Sequence, residues 1–355
     1  VPYSKDLRHP ADRRRLAAWA NDSGTELVLN NPLDSEILFL SNAANFGYWI
    51  EKATQPVVLD LVDAYIGENP SFIKDCLRNI TRSIRRTSDL KWMTYTNHLK
   101  KACESSAAVV VASPEQREYI LPLNKNVYVI LDNHSELDDQ IRKLTETSKT
   151  AEVESVQPER PFIFWEGFGY TLKHFRFISK ALDDFLSSNS WGLTLVTVPE
   201  FPRWGGYIGK IDTQKLMNKL LPKSANLIKI VPWSIENLVS QSRKARFSII
   251  PLDADDKFAS LKSENKLLSN WHLGLVTIFS DTPAYSRTAT DAGALFGSTR
   301  PTEWAVKLDS FITESDESTK MKKNTSKFIL EEHSSTILKS KWDLCISEVL
   351  GNNFV

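Results

Sequence analysis

A serine, an asparagine and a lysine head an apolar-periodic segment in Lys262-Ser263-Glu264-Asn265-Lys266-Leu267-Leu268. Ser263 reads as the N-cap of a helix that begins near Glu264. The free amides of a helix start, the positive end of its dipole and the Lys266 ammonium in the first turn together suit a diphosphate. An ordinary capped helix with a surface lysine has the same pattern. Gly167 and Gly169 form Gly-x-Gly after the apolar run Phe162–Trp165, and two glycines there let a ligand approach the backbone. A plain turn reads the same way. Asp253-x-Asp255-Asp256 follows another apolar run. Two aspartates at that spacing can hold a divalent cation against a diphosphate, but a solvated loop is the preferred reading, and we assign no metal site. The six histidines and three cysteines show no metal-ligand spacing, and there is no Gly-x-Ser-x-Gly, His-Glu-x-x-His or Walker A motif.

The elements that must position these residues follow from the pattern of apolar runs. In the first half, Arg13–Asn21, Pro70–Arg86 and Trp92–Ser105 read as helices. Glu26–Leu29, Ile37–Leu40, Val57–Val62, Ala107–Ala112 and Val127–Leu131 read as strands. Ser113-Pro114 is a cap and first-turn pair opening another helix. Short continuous apolar strands between helices indicate a parallel sheet covered on both faces. Thr145–Arg160 is polar and reads as a linker. The pattern then restarts. Strands are expected at Phe162–Trp165, Leu193–Val198, Leu227–Val231, Phe247–Leu252 and Val276–Ser280. Helices are expected at Leu172–Ser187, Thr213–Leu221, Ile235–Ala245 and Asn265–Leu273, and a long amphipathic one at Ile329–Val349.

Composition narrows the classes. The 355 residues suit two α/β domains, and the 41% hydrophobic and 25% charged content is that of a globular chain. Lys+Arg and Asp+Glu both number 44, which excludes a bulk electrostatic grip on nucleic acid. Cys76, Cys103 and Cys345 are scattered and odd in number, so a reducing cytosol is expected rather than a disulfide framework. No apolar run reaches the ~20 residues of a spanning helix.

Two stretches resemble the GT-B nucleotide-sugar-dependent glycosyltransferases, of the group 1 or family 4 kind. One runs from Lys262 through Asn265-Lys266-Leu267-Leu268, Gly274 and Val276 to Ser280-Asp281. The other is Val231-Pro232-Trp233-Ser234 with Glu236-Asn237-Leu238, followed by Phe247–Leu252. Weaker similarities lie in Phe164-Trp165-Glu166-Gly167, Val111-Ala112-Ser113-Pro114, Val129–Asn133 and Arg8-His9-Pro10 with Asp12–Arg15, in the family's order. The resemblance implies two Rossmann-like α/β domains facing across a cleft: an acceptor-binding domain over 1–157, a nucleotide-sugar-binding domain over 158–330, and a C-terminal helix over 331–355 crossing back to the first. Gly167, Gly169, Pro232, Trp233, Ser263, Glu264, Asn265 and Lys266 would hold the donor. Pro232 and Trp233 are also what a strand-to-helix turn with a core tryptophan would show. The family's paired glutamates fall on Leu261 and Ser269, so ribose recognition must differ or shift to Glu264.

An inverting mechanism needs a base in the first half. Asp60, Asp63 and His9 are the candidates, with Asp12 and His98 behind them, whereas a retaining mechanism can pass the proton to the donor phosphate. Arg8 and Arg13, in the cluster with Arg14 and Arg15, would meet an acceptor phosphate or form a solvated face. Lys74, Arg78, Arg82, Arg85 and Arg86 recur along one helix face, which reads as peripheral contact with an anionic membrane or as a solvated face. The expectation is a metal-independent hexosyltransferase acting at the cytoplasmic side of a membrane in surface-polysaccharide or glycolipid synthesis. It needs no cofactor beyond the donor, takes a glycan or lipid-linked acceptor, and does not bind nucleic acid. Two other readings stand: a GT-B-fold nucleotide-sugar 2-epimerase using Asp253, Asp255 and His272, and a non-catalytic sugar- or nucleotide-binding domain of a larger synthase.

Overall fold

The computed structural model describes residues 1–88, 94–150, 160–203, 209–253 and 255–351. They form two compact units. The first comprises Val1–Asn133, Leu261–Asn265 and Glu332–Val355, and the second His134–Ser260 and Lys266–Glu331.

The first unit is built on a parallel sheet of β1 (Leu38–Ser41), β2 (Val57–Leu61), β3 (Ala108–Val111) and β4 (Val127–Val129), in that order across the sheet. Alternation along the strands splits its side chains between two layers. Val57, Leu59, Leu61, Val109 and Val111 pack in one core with Phe46, Tyr95 and Leu99. Val58, Ala108 and Val110 pack in another with Ile130, Trp342 and Cys345. Both faces are covered, so β2 and β3 read as apolar runs broken only by Asp60. The helix Ser335–Val349 supplies Trp342 and Cys345 to the second layer.

The second unit carries β5 (Phe162–Glu166), β6 (Gly192–Thr197), β9 (Ile228–Pro232), β10 (Phe247–Ile250), β11 (Thr277–Ser280) and β12 (Ser298–Thr299). Its order is β12-β11-β10-β5-β6-β9, all parallel. A small antiparallel pair, β7 (Glu200–Pro202) and β8 (Lys210–Asp212), lies outside this sheet and outside the sequence expectations. The chain lays β5, β6 and β9 outward in one direction, then returns to β10 on the other side of β5. The gap between β5 and β10 is therefore the topological switch point, where helices leave to opposite faces and a crevice opens at the strands' carboxyl ends.

Several expected elements differ in the structure. The expected boundary at 157/158 lies outside the described residues, and the division between the units falls at Asn133/His134. The helix Ser135–Thr150, whose last six residues fall inside the expected linker, belongs to the second unit because Leu137, Ile141 and Leu144 pack against Phe164, Val231 and Leu238. Glu26–Leu29 forms no strand, and Val28 and Leu29 stay exposed. Leu172–Ser187 becomes a 3-10 segment, Gly169–Phe177, followed by the helix Ser179–Asn189. The long C-terminal helix is two, Asp316–Glu332 and Ser335–Val349, because Ser334 is extended at φ −64° and ψ 153°. Of Trp92–Ser105, residues 92–93 lie outside the described residues and the helix spans Tyr95–Ser105. No helix among the described residues is long and apolar enough to cross a membrane.

Candidate functional site

The switch point of the second sheet carries a built arrangement. At the end of β5, Gly167 adopts φ +156°. Its amide donates to the Val196 carbonyl at 3.3 Å, and its carbonyl accepts from Thr197 Oγ1 at 2.6 Å. Lys266, in the first turn of the helix Asn265–His272, donates Nζ to the Glu166 carbonyl at 2.9 Å and lies 4.9 Å from the centre of the Trp165 ring. A Cβ on Gly167 would sit 2.5 Å from that ammonium. A side chain at this position would crowd the cation at the carboxyl end of β5. Sequence reading placed Gly167 and Lys266 at one ligand, and the structure puts them side by side.

The other residues expected around a donor have contacts of their own. Gly169 is buried, and a Cβ there would lie 2.2 Å from Phe201 Cδ1, so its small size serves packing against β7. Pro232 ends β9, and its carbonyl accepts from Asn237 Nδ2 at 2.8 Å. Trp233 donates its amide to the Thr197 carbonyl at 3.1 Å and packs, half-buried, against the cluster of Leu137, Phe164 and Val231. Ser234 caps the next helix by accepting from the Asn237 amide at 3.0 Å. Pro232 and Trp233 thus form a strand-to-helix turn at the carboxyl end of β9. The helix expected to start near Glu264 under a Ser263 cap starts at Asn265, so Glu264 takes the position before it. Ser263, Glu264 and Asn265 count in the first unit, where Glu264 is buried and Asn265 Oδ1 accepts from the Asp132 amide at 3.1 Å. Ser269, at the family's ribose-glutamate position, is buried on the helix.

The acidic segment after β10 is occupied by its own turn. Asp253 Oδ1 accepts from the Asp255 amide at 3.1 Å, and Asp256 Oδ1 from the Phe258 amide at 3.1 Å. Asp256 also pairs with Lys173. Burial works against the Asp256 charge, but the Lys173 and Ala259 donors outweigh it and hold its carboxyl below the usual range. The described residues contain no cluster of three or more metal-type ligands. His174 is buried beneath the segment and accepts from the Asp253 amide at 3.3 Å. His272 lies in the last turn of the helix Asn265–His272, 3.1 Å from Asp138.

Sequence reading missed two aromatic residues. Phe168 and Tyr170 flank Gly169, are both exposed, and stack with ring centres 5.4 Å apart and planes 7° from parallel. Aromatic-Gly-aromatic directly after a strand was the available signal. Such a platform suits the apolar face of a sugar or base.

The candidates for acid–base work all lie in the first unit. Asp60 is not an open base. Arg15, fully buried, donates to its carboxylate through Nε at 2.8 Å and Nη2 at 2.6 Å. Arg15 Nη1 also donates to the Ile130 carbonyl at 2.6 Å and lies 3.4 Å from Asp132. Burial opposes the guanidinium charge and Asp60 more than restores it, so Arg15 stays charged. Burial pushes Asp132 up. Asp12 closes the opening loop by accepting from the Tyr3 and Ser4 amides, both at 2.8 Å. His98 is buried between the Gly47 amide and Ser88 Oγ. His9 caps the short helix Pro10–Arg13 and stacks on Tyr3 at 4.6 Å. Burial lowers its pKa, against the pull of Asp12 and Asp63. Asp63 lies close enough to add to the burial that raises Tyr3 and Tyr65. His9, Asp63, Tyr3 and Tyr65 are thus one group beyond the end of β2. Arg8 is exposed and 3.6 Å from Asp6, while Arg13 Nη1 donates to the Arg8 carbonyl at 2.8 Å.

The basic helix also differs from expectation. It spans Phe72–Ile84. Lys74 and Arg78 pair with buried Glu68, and Arg82 donates to the Asn42 carbonyl and lies 4.5 Å over the Tyr95 ring. Arg78 and Arg82 therefore face the protein, and only Lys74, Arg85 and Arg86 of the five are exposed.

No family model and no curated protein matches the sequence. Solved structures do. An E. coli trehalose-6-phosphate structure bound with UDP-2-fluoro glucose matches at TM-score 0.58 and 11% identity, over 91% of this chain and 75% of that one. Anabaena HepE in complex with UDP matches at TM-score 0.57 and 11% identity, over 89% and 79%. A Rickettsia africae glycosyltransferase matches at TM-score 0.52 and 14% identity, over 84% and 91%. The fold is that of the GT-B glycosyltransferases. Within that GT-B fold, Gly167 and Lys266 occupy the switch point of the second Rossmann-like sheet.

Proposed function

We propose that this chain is a glycosyltransferase that binds a nucleotide diphosphate sugar at the switch point of its second sheet and moves the sugar to a glycan or glycolipid acceptor. The observation that carries the reading is the Lys266 ammonium seated at the carboxyl end of β5 on the Glu166 carbonyl, beside Gly167. When the anomeric carbon–oxygen bond breaks, the electron pair leaves with the diphosphate. A fixed cation in a preorganised site stabilises that charge without rearrangement. The exposed Phe168–Tyr170 pair offers a stacking face for the sugar or base. Metal independence is supported by Asp253 and Asp256, whose carboxylates accept from amides of their own turn, the second pairing with Lys173 as well.

The acceptor reading rests on the first unit. Burial disfavours the charged form of His9 and keeps the ring neutral near pH 7, the form a general base needs, with the Asp63 charge pulling the other way. In an inverting reaction this pair takes the acceptor hydroxyl proton as that oxygen forms the new bond to the anomeric carbon. Surface-polysaccharide or glycolipid assembly is the setting we propose, by analogy with the fold's enzymes.

The test is ligand-observed NMR with UDP, GDP, CMP and dTDP, with and without Mg²⁺, on wild type and Lys266→Ala. Metal-independent binding of one diphosphate, weakened by the substitution, supports the donor site and names the base for transfer assays. Binding of none refutes it. Product analysis with and without acceptor then separates transfer from epimerisation, and turnover separates both from a binding domain.

A further inference from the structure

The helix Phe72–Ile84 is inside out. At roughly 100° per residue, Ile73, Leu77, Ile80 and Ile84 fall within an arc of about 60°, and Asp75, Arg78, Asn79 and Arg82 fall opposite. In a helix on a globular domain the apolar stripe faces the core. Here the polar stripe does. Asp75 and Asn79 are buried, Asp75 accepts from the Thr96 amide at 3.0 Å, and Arg78 and Arg82 bind Glu68, Asn42 and the tyrosine rings. The apolar stripe faces solvent: Ile73 is 72% exposed, Leu77 57%, Ile80 46% and Ile84 69%, and Phe72, at the helix start beside the stripe, is 61% exposed. The inward polar contacts lock the helix in this orientation, because rotating it would bury the large side chains only by stripping Glu68 and Asp75 of their partners.

We infer that this face is a docking surface for an anionic lipid bilayer. Charge selects the occupant. The exposed polar residues of the segment 72–86 are Lys74, which pairs with buried Glu68, and Thr81, Arg85 and Arg86; none is acidic. Cations rimming an apolar helical stripe are what an interfacial helix presents to acidic headgroups. Size points the same way. Five side chains on one helix fall well short of the ~20 residues per side of a stable protein interface, whereas a single helical stripe is enough for a bilayer surface. The contact is made by Phe72, Ile73, Leu77, Ile80 and Ile84, with the cations as flanks, and not by the row of arginines that the sequence suggested. This inference does not depend on the proposed transfer reaction.

The full chain is sedimented with vesicles of phosphatidylcholine alone and of equal parts phosphatidylcholine and phosphatidylglycerol. Binding to the anionic vesicles is expected. The double variant Leu77→Glu/Ile80→Glu, which alters only exposed positions, should lose it by about 100-fold or more. Arg85→Gln and Arg86→Gln should each cost about fivefold on anionic vesicles only. Ile80→Trp should shift its fluorescence to shorter wavelength when anionic vesicles are added. Sedimentation unchanged in the double variant, or no binding to anionic vesicles, overturns the proposal. So does self-association that the double variant abolishes, which would assign the face to a second copy of the chain.

Discussion

Lys266 Nζ lies 2.9 Å from the carbonyl oxygen of Glu166, in space that any side chain at position 167 would fill. The lysine comes from the start of a helix and the carbonyl from the end of a strand a hundred residues earlier, and the glycine between them leaves the ammonium room. Lys266→Ala should weaken binding of the preferred nucleoside diphosphate roughly 10- to 100-fold, from the ~1.5–3 kcal/mol of a charge-assisted hydrogen bond. Thermal stability should change little. A titration by NMR reads both this effect and that of Gly167→Ala, which should weaken binding by displacing the ammonium. Equal affinity in all three proteins would remove Lys266 from the site.

Gly169 makes a contrasting prediction. Its missing Cβ makes room for Phe201. Gly169→Ala should therefore destabilise the chain by about 1–3 kcal/mol through overpacking, and Phe201→Leu in the same chain should restore part of the loss. Denaturant unfolding of the single and double variants measures the coupling. If Gly169→Ala instead weakened nucleotide binding with stability intact, the glycine would belong to the ligand after all.

The buried Arg15 holds Asp60 and the end of the first sheet together. Arg15→Met should cost about 3–5 kcal/mol, because it strands the Asp60 and Asp132 carboxylates without their cation. Chemical denaturation followed by circular dichroism tests this. A loss below about 1 kcal/mol would mean that the pair is far better hydrated than its burial indicates.

His9 should titrate below its ordinary value of about 6.5. Its folded-state pKa is lowered by burial, so the unfolded chain binds this proton more readily than the folded one. The sign follows: stability falls as pH drops through the unfolded value toward the folded one, and is unaffected by His9 above neutrality. NMR of the His9 ring gives the pKa directly. Asp63→Asn should lower it further, because Asp63 pulls it upward. A His9 pKa above 6.5 would contradict the burial.

The three thiols should react in sequence. Burial pushes Cys103 and Cys345 up to about 12, whereas Cys76 is partly exposed. A thiol-specific reagent at mildly alkaline pH should label Cys76 first, with the other two appearing only on unfolding. Mass spectrometry of the labelled peptides reports the order. Early labelling of Cys103 would show that the first unit opens locally.

Much of this architecture is written in the chain. Val57–Leu61 and Ala108–Val111 are apolar at every position except Asp60, a pattern that only a strand covered on both faces explains, and both are such strands. Ser113 before Pro114 and Ser234 before Ile235 cap helices through local hydrogen bonds, which neighbouring residues suffice to specify. The partnership of Gly167 with a lysine at the head of a distant helix was also legible, because glycine spacing and helix-start chemistry are local signals. Tertiary structure decided the rest. A charge in a sequence has no direction: Arg15, Arg78 and Arg82 resemble any surface arginine until the fold supplies Asp60, Glu68 and Tyr95 as partners. Asp60 reads as a free carboxylate for the same reason. The helix Phe72–Ile84 is the sharpest case. Its period reveals two faces, but which face turns inward depends on what the neighbouring elements offer, and here they offer a buried glutamate and polar groups rather than an apolar wall. Local patterns set element type because they act over a few residues, whereas burial, pairing and facing are set by contacts between residues far apart in the chain.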